Sequence, residues 1–237
     1  MIGSFEQLPS EVQAPGQTEL HIGQVRKAKT GYEQLPAKNP APSYSTTGQG
    51  PLLIYIPGLD GTGELSFRHL PNLSRDYQVI TYQLRDTGRF TYEDLAADIA
   101  HIVQDRNETR AMILGESFGG TIAIEFALRY PEMAERLVLV NSFPWFRKRR
   151  LIRYGLFIAS RMPFDATWLI RRAAATLGLI VDGIARADRR TFIAAIRNVK
   201  KPAYVRRLEL ISELDLRDRL GEIKAPTLLL AGEKDLL

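Results

Sequence analysis

A serine between glycines marks the most informative segment of the chain, Gly115-Glu116-Ser117-Phe118-Gly119. The segment follows a short apolar run at residues 111–114 and precedes a helical pattern. This order predicts that Ser117 lies on a sharp turn with its hydroxyl exposed, where Gly115 and Gly119 let strand and helix approach closely. Such a serine is suited to attack on a carbonyl carbon. The alternative is a glycine-rich turn without chemistry.

A second glycine-rich segment, residues 57–63, follows the apolar run at residues 52–56. In a parallel sheet it lies at the same carboxyl edge as Ser117. Acyl transfer needs N–H donors for the oxyanion of its tetrahedral intermediate, and we expect these from Leu59 and Phe118. A phosphate-binding loop is the alternative. The segment lacks the Gly-Lys-Ser/Thr sequence of such loops, which argues against nucleotide binding.

A candidate acid follows the last apolar run of the chain, at residues 227–231. Asp235 comes four positions after this run and is placed to orient an imidazole. The alternative is an aspartate in a solvent-exposed turn. The chain has no cysteine, which excludes a cysteine-based metal site. The serine chemistry predicted here implies neither a metal nor a cofactor.

The elements that position these residues are predicted from short apolar runs alternating with helical patterns. Runs this short suit strands that are buried on both faces of a parallel sheet. Thr91 and Asp94 form a capping signature ahead of one helical pattern, and a second runs from Thr121 to Tyr130. The predicted fold class is α/β, with a mostly parallel, doubly wound sheet. The five predicted strands lie at residues 52–56, 79–84, 111–114, 137–140 and 227–231.

Three regions follow from the composition along the chain. Residues 1–50 contain few large apolar side chains, so we expect a disordered leader with a short strand near residues 20–25. Residues 51–142 and 225–237 form the predicted α/β core. Residues 143–224 show helical patterns without a clear strand and are predicted to be a helical cap insertion.

The run from Gly115 through Arg129-Tyr130-Pro131-Glu132 to Asn141 closely resembles the α/β-hydrolase superfamily. The resemblance covers about residues 51–142 and 222–237. The loop at residues 57–63 is similar to that of an esterase, lipase and thioesterase branch that includes plant phytyl ester synthases, which are acyltransferases. The resemblance implies a serine hydrolase acting on an ester or thioester with an apolar acyl group. An acyltransferase and a non-catalytic, pocket-binding relative are the alternatives.

The resemblance also implies a catalytic histidine after one further strand, about 25 residues beyond the acid. The chain ends at Leu237, so we expect these 237 residues alone to be inactive and to be a truncation. His21 lies in the predicted leader and His69 on a predicted helix at residues 66–70. His101 is expected on the solvated side of its helix, a side with three acids, Asp94, Asp98 and Asp105.

The basic charge is concentrated where the insertion begins. Formal net charge is +5, and the sequence pI is about 9.5. Five neighbouring cations with interleaved apolar residues predict a peripheral contact with an anionic membrane: Arg147, Lys148, Arg149, Arg150 and Arg153. A solvated cap helix is the alternative, and no nucleic-acid motif accompanies the charge. The N-terminus lacks the pattern of a signal peptide, so we expect a cytoplasmic protein.

Overall fold

The computed structural model describes residues 19–22, 41–66, 69–161 and 199–232. Within these ranges there are seven strands: β1 (Glu19–Ile22), β2 (Ser43–Thr47), β3 (Leu52–Ile56), β4 (Gln78–Gln83), β5 (Ala111–Glu116), β6 (Ala134–Val140) and β7 (Thr227–Leu230). They form one sheet in the spatial order β1-β2-β4-β3-β5-β6-β7. The predicted site segments follow β3, β5 and β7, and all three strands belong to this sheet.

The centre of the sheet is parallel and buried. Neighbouring strands from β4 across β3, β5 and β6 to β7 all run in the same direction. Ile54 of β3 is paired with Ile80 on one side and Ile113 on the other, and all three side chains are fully buried. Burial on both faces explains why these strands read as continuous apolar runs. The predicted mostly parallel sheet is confirmed.

Helices cover both faces of the sheet, as expected for a doubly wound fold. The described helices are α1 (Leu70–Leu73), α2 (Tyr92–Asp105), α3 (Phe118–Arg129), α4 (Arg149–Arg161) and α5 (Lys201–Glu213). The first packs on a cluster around Leu53, Tyr55 and Val79. The next two pack on the opposite face, in the larger core that contains Ile54 and Ile113.

The start of α2 is set by a local signal in the sequence. The Thr91 hydroxyl accepts a hydrogen bond from the Asp94 N–H at 3.1 Å, and the Asp94 carboxylate accepts one from the Thr91 N–H at 2.9 Å. This reciprocal pair is a capping box, which satisfies two N–H groups that the helix itself cannot. The predicted capping signature is therefore confirmed.

The solvated side predicted for α2 is wrong at Asp98, which is fully buried. Its carboxylate accepts two hydrogen bonds from Arg85, at 2.7 and 2.8 Å, and one from the Tyr82 hydroxyl at 2.5 Å. A buried carboxylate is tolerated because it is paired with a cation and hydrogen-bonded. The half-buried His101 lies with its Nδ1 atom 2.7 Å from the Ala97 carbonyl oxygen, one turn back along the same helix.

The predicted boundary at residue 50 is also corrected. Residues 43–47 form β2, which pairs antiparallel with β4, and β2 in turn pairs with β1, close to the strand predicted near residues 20–25. Tyr44 is 1% exposed, and its hydroxyl donates a hydrogen bond to Asp105 of α2. This part of the predicted leader is therefore integral to the sheet. Residues 1–18 and 23–40 lie outside the described residues.

The described part of the insertion contains two α-helices, α4 and α5, and residues 162–198 lie outside that description. In α5, Leu210 and Ile211 are buried in the main core, while α4 packs against α5 and exposes Tyr154 and Phe157. None of the helices in the described ranges has the length and apolar character needed to cross a bilayer.

The last described strand, β7, borders the sheet that the structure describes. Leu228, Leu229 and Leu230 are 53%, 71% and 47% exposed. Three consecutive exposed leucines on a border strand are unusual, because such edges are normally covered or charged.

Candidate active site

Ser117 occupies the turn between β5 and α3 in a backbone conformation that few non-glycine residues adopt, with φ of 52° and ψ of −117°. Its N–H donates to the Val140 carbonyl at 2.8 Å, and its carbonyl accepts from the Gly120 N–H at 3.0 Å. A conformation of this kind costs on the order of 1–3 kcal/mol and is held only by surrounding structure. The strand–turn–helix position predicted for Ser117 is the one the structure has.

The two glycines beside the serine are required by close backbone contacts. A Cβ atom on Gly119 would lie 2.1 Å from the Ile56 carbonyl oxygen, and one on Gly115 would lie 2.6 Å from the Gly119 carbonyl oxygen. Both distances are far shorter than a van der Waals contact. The contacted atoms belong to the backbone and cannot move aside. The predicted reason for Gly115 and Gly119, the close approach of strand and helix, therefore agrees with the geometry.

Ser142 adds a contact that sequence reasoning missed. Its hydroxyl donates to the Ser117 carbonyl at 2.9 Å, and it fills the space beside Gly120, where a Cβ atom would lie 2.1 Å from the Ser142 Oγ. Ser142 follows the end of β6, so the parallel topology brings it to the edge where Ser117 lies. The signal in the sequence that could have indicated this contact is the position of Ser142 just after a predicted strand.

The loop at residues 57–63 reaches the same edge, as predicted. A Cβ atom on Gly58 would lie 3.6 Å from the Ser117 Cβ, so this loop passes directly beside the serine. Leu59 is half-buried and packs against the core, and Phe118 is fully buried as the first residue of α3. The first N–H groups of a helix have no partner within the helix, which leaves that of Phe118 able to donate outward.

Internal hydrogen bonds order this loop. The Asp60 carboxylate accepts from the N–H and hydroxyl of Thr62, both at 3.1 Å, and from the Gly63 N–H at 3.0 Å. The Gly61 N–H donates to the Gly58 carbonyl at 3.1 Å. The N–H groups of residues 61–63 are thus used internally and cannot bind a phosphate. Among the described residues, no hydrogen bond uses the Leu59 N–H.

Glu116, directly before the serine, is held by a buried hydroxyl pair. The Tyr55 hydroxyl donates to the Glu116 carboxylate at 2.6 Å and is also bonded to the Ser66 hydroxyl. Burial, followed by the neighbouring Glu116 charge, raises the pKa of Tyr55 far above its ordinary value, so Tyr55 stays a donor at neutral pH. These contacts anchor the end of β5 from the face opposite α3.

The candidate acid Asp235 lies outside the described residues. The segment that leads to it is held by Asn141, whose N–H donates to the Leu230 carbonyl and whose side-chain oxygen accepts from the Gly232 N–H, both at 2.8 Å. Asn141 has a φ of 44°, a conformation that asparagine tolerates better than most residues. Sequence reasoning did not assign Asn141 a role.

Neither His69 nor His101 has a hydrogen bond to Ser117 within the described ranges. His21 lies on β1, four strands from β5, which corresponds to roughly 19 Å at ordinary strand spacing. His69 is exposed just before α1, which starts at Leu70. Of the helix predicted at residues 66–70, Ser66 ends a 3-10 turn at Glu64–Ser66, and residues 67 and 68 lie outside the described residues.

Comparisons with known proteins agree on one fold family. Residues 51–237 match a family model described as alpha/beta hydrolase fold. The chain is 29% identical to candidate carbamate hydrolase RutD of Yersinia enterocolitica over 78% of this chain and 70% of that protein, and 29% identical to its counterpart in Agrobacterium fabrum over 81% and 78%.

Solved structures show the same fold. A hydrolase from Pseudomonas aeruginosa superposes with a TM-score of 0.73 at 23% identity, covering 92% of this chain and 80% of that one. The enol-lactonase from Burkholderia xenovorans gives a TM-score of 0.68 at 22% identity, covering 81% and 78%.

Proposed function

Because the chain belongs to the alpha/beta hydrolase fold family, we propose that it cleaves a carboxylic ester or thioester with an apolar acyl group through an acyl-enzyme at Ser117. The observation that carries the proposal is the strained turn of Ser117, with φ of 52°, beside Gly58 of the loop after β3. Such a turn exposes a nucleophile next to backbone N–H donors, which is what acyl transfer requires.

In the proposed reaction, the Ser117 Oγ forms a bond to the substrate carbonyl carbon while its proton passes to an imidazole oriented by Asp235. The N–H groups of Leu59 and Phe118 donate to the oxyanion that forms. The bond to the leaving alcohol or thiol then breaks, and the leaving group takes the proton from the imidazolium. Water repeats these steps on the acyl-enzyme, which releases the acid and restores Ser117.

The substrate class is supported by the relatives and by the residues near the serine. Carbamate hydrolases and enol-lactonases, the names borne by two similar proteins, both cleave a carbonyl from a heteroatom. Phe143 and Phe146, half-buried with ring centroids 5.1 Å apart, follow Ser142, which contacts the Ser117 carbonyl. Aromatic rings at this edge favour an apolar acyl chain over a charged one.

The test supplies the imidazole in solution, because none of the described histidine side chains is bonded to Ser117. With p-nitrophenyl butyrate, we expect near-zero enzymatic turnover by the 237-residue chain alone. Added imidazole should raise its rate at least about tenfold above that of Ser117→Ala, since triad members act as a unit. Ser74→Ala, a serine on the surface turn after α1 bonded to the Pro71 carbonyl, is the matched control and should behave as the parent chain.

Other results of this assay would change the role assigned to Ser117 or the type of reaction. Equal stimulation of the parent chain and Ser117→Ala would exclude Ser117 as the nucleophile and favour a non-catalytic, pocket-binding protein. Turnover that depends on Ser117 without added imidazole would keep the nucleophile and contradict the expected lack of a base, and His69→Ala would be the next variant. Ester product formed from a long-chain alcohol in place of acid would identify an acyltransferase.

We also propose that α4 contacts the cytoplasmic surface of an anionic membrane. From Ser142 to Arg161 the sequence has six cations and no acid, and Tyr154 and Phe157 on this helix are 64% and 54% exposed. The Arg161 guanidinium carbon lies 3.5 Å from the centroid of the Phe157 ring. Exposed aromatic rings flanked by arginine suit the boundary between lipid headgroups and acyl chains, where each cation contributes about 1 kcal/mol.

Sedimentation with phospholipid vesicles tests this contact. We expect binding to vesicles that contain phosphatidylserine and little binding to phosphatidylcholine alone. The double variant Arg150→Glu, Arg153→Glu should lose this binding, whereas Arg75→Glu, Arg110→Glu, which changes net charge equally at two exposed positions elsewhere, should keep most of it. Equal losses in both double variants would reduce the contact to net charge and overturn the assignment to α4.

A further inference from the structure

Arg207 of α5 is a buried cation that reaches from the insertion into the core. It is 2% exposed, and its guanidinium donates to four backbone carbonyls. The acceptors are those of Leu59 at 2.9 Å, Asp60 at 3.2 Å, Leu84 at 3.4 Å and Arg85 at 3.1 Å. Within the described ranges it forms no salt bridge. The first two acceptors belong to the loop beside Ser117.

A cation in this position is a poor choice for stability alone. Burial lowers the pKa of Arg207 to about 10, partly offset by attraction to Asp60, so the group remains charged at neutral pH. Removing a cation from water is costly, and apolar residues of similar volume often serve a core at least as well. The loop is nevertheless shaped around it: at Gly61, with φ of 73°, a Cβ atom would lie 2.4 Å from the guanidinium.

The hydrogen bonds fix the peptide planes of the loop one after another. The Gly58 carbonyl accepts from the Gly61 N–H, the Leu59 and Asp60 carbonyls accept from Arg207, and the Gly61 carbonyl accepts from the Leu84 N–H at 2.8 Å. In a trans peptide the N–H points opposite to the preceding C=O. The Leu59 N–H therefore takes its direction from the Gly58 carbonyl, which the Gly61 N–H holds. Arg207 acts on it through the Asp60 carbonyl, which shares a peptide plane with that Gly61 N–H.

We propose that Arg207 is a positioning residue, whose guanidinium holds the loop at residues 57–63 so that the Leu59 N–H stays aimed at the oxyanion. This inference rests on the proposed function of Ser117. It assigns a role in the site to a residue of the insertion that lies 90 positions beyond the serine in the chain. A preorganised donor stabilises the transition state because it does not have to reorient during reaction.

The experiment compares Arg207→Met with Arg206→Met. Arg206 is the neighbour on α5 and also donates to a backbone carbonyl, that of Phe90 at 2.8 Å, outside the loop. In the imidazole-supplemented assay, Arg207→Met should lower the Ser117-dependent kcat about tenfold or more with less than about a threefold change in KM. Amide hydrogen exchange at residues 57–63 should be faster in Arg207→Met and unchanged in Arg206→Met.

A second variant covers failure to fold. In Arg207→Ala, added guanidinium at millimolar concentration should fill the vacated space and restore part of both the rate and the exchange protection. Faster exchange with an unchanged Ser117-dependent rate would overturn the positioning role and leave the proposed function intact. A rate independent of Ser117 would instead overturn the proposed function, while unchanged exchange in both Arg207 variants would show that Arg207 does not hold the loop.

Discussion

Ser117 is held in its unusual conformation by the end of β6 and by the close approach of α3 to β3. Val140 accepts from its N–H, Ser142 donates to its carbonyl, and Gly119 lets α3 begin directly against the end of β3. None of these neighbours has to be large or charged. The strain at one residue is thus balanced by short-range contacts that depend on small side chains, and enlarging one of them is the most direct way to disturb the site.

Gly119 is expected to tolerate no larger residue. In Gly119→Ala the new Cβ would lie 2.1 Å from the Ile56 carbonyl oxygen, and we expect a loss of about 2 kcal/mol or more in the free energy of unfolding. Gly155→Ala, in α4 with nothing within 4 Å of its Cβ position, should instead gain about 0.5–1 kcal/mol. Urea unfolding measures both. Equal effects would mean that α3 does not approach β3 this closely.

Buried tyrosines should make the fold sensitive to alkaline pH. Burial is the largest cause that raises the pKa of Tyr44, Tyr55, Tyr82 and Tyr92 above the ordinary value of 10. Above about pH 10 the unfolded state therefore binds fewer protons than the folded state, and the free energy of unfolding falls as pH rises. The lowered pKa of Arg207 acts in the opposite direction and reduces this slope.

Urea unfolding between pH 8 and 11 checks the sign and one source of this dependence. Tyr82→Phe should flatten the decline above pH 10, because it removes the titrating hydroxyl that bonds to Asp98. A decline of the same steepness in Tyr82→Phe would mean that other groups cause it.

At the scale of single residues, the sequence predicted the contacts between residues close in the chain and missed those between distant residues. Ser117 and its glycines were predictable because they lie within one turn of each other and their spacing carries the geometry. Asp98 was not, because its partners Tyr82 and Arg85 belong to another element and helical periodicity alone placed it in solvent. Arg207 was missed for the same reason: its acceptors lie more than 120 positions away.

Among the elements, β2 shows how a few residues can escape prediction. Its sequence, Ser-Tyr-Ser-Thr-Thr, has one large apolar side chain, so composition placed it in the leader. Pairing with β4 and burial of Tyr44 supply what composition could not indicate. The capping box of α2, in contrast, was predictable because both of its residues lie within the same turn.

The contribution of β2 can be measured at Tyr44. Tyr44→Ala should cost about 3–5 kcal/mol, because it removes a side chain that is 1% exposed together with its hydrogen bond to Asp105. Tyr154→Ala, at a position 64% exposed, should change the free energy of unfolding by less than about 0.5 kcal/mol. Thermal or urea unfolding would contradict the role of β2 if the two variants were equally stable.

At the scale of the whole molecule, the border strand β7 makes self-association the expected behaviour of the 237-residue chain. Its three consecutive leucines are 47–71% exposed and carry no charge. Leu229→Lys should suppress association, since a charge on an edge opposes strand pairing. Leu220→Lys, at a position 38% exposed in the 3-10 turn at Arg217–Glu222, is the control and should not. Light scattering that finds the parent chain monomeric would contradict this prediction.

The anchoring of α5 limits how the site can open. Leu210 and Ile211 are buried in the core, and lifting this helix would withdraw Arg207 from four carbonyls. Admission of a substrate through movement of α5 would therefore release the loop beside Ser117 at the same moment. In such an open state the Leu59 N–H would no longer be held for the oxyanion of the proposed reaction. Substrate entry and reaction would then require two different positions of α5. A route of entry that leaves α5 in place would keep the loop beside Ser117 bonded to Arg207.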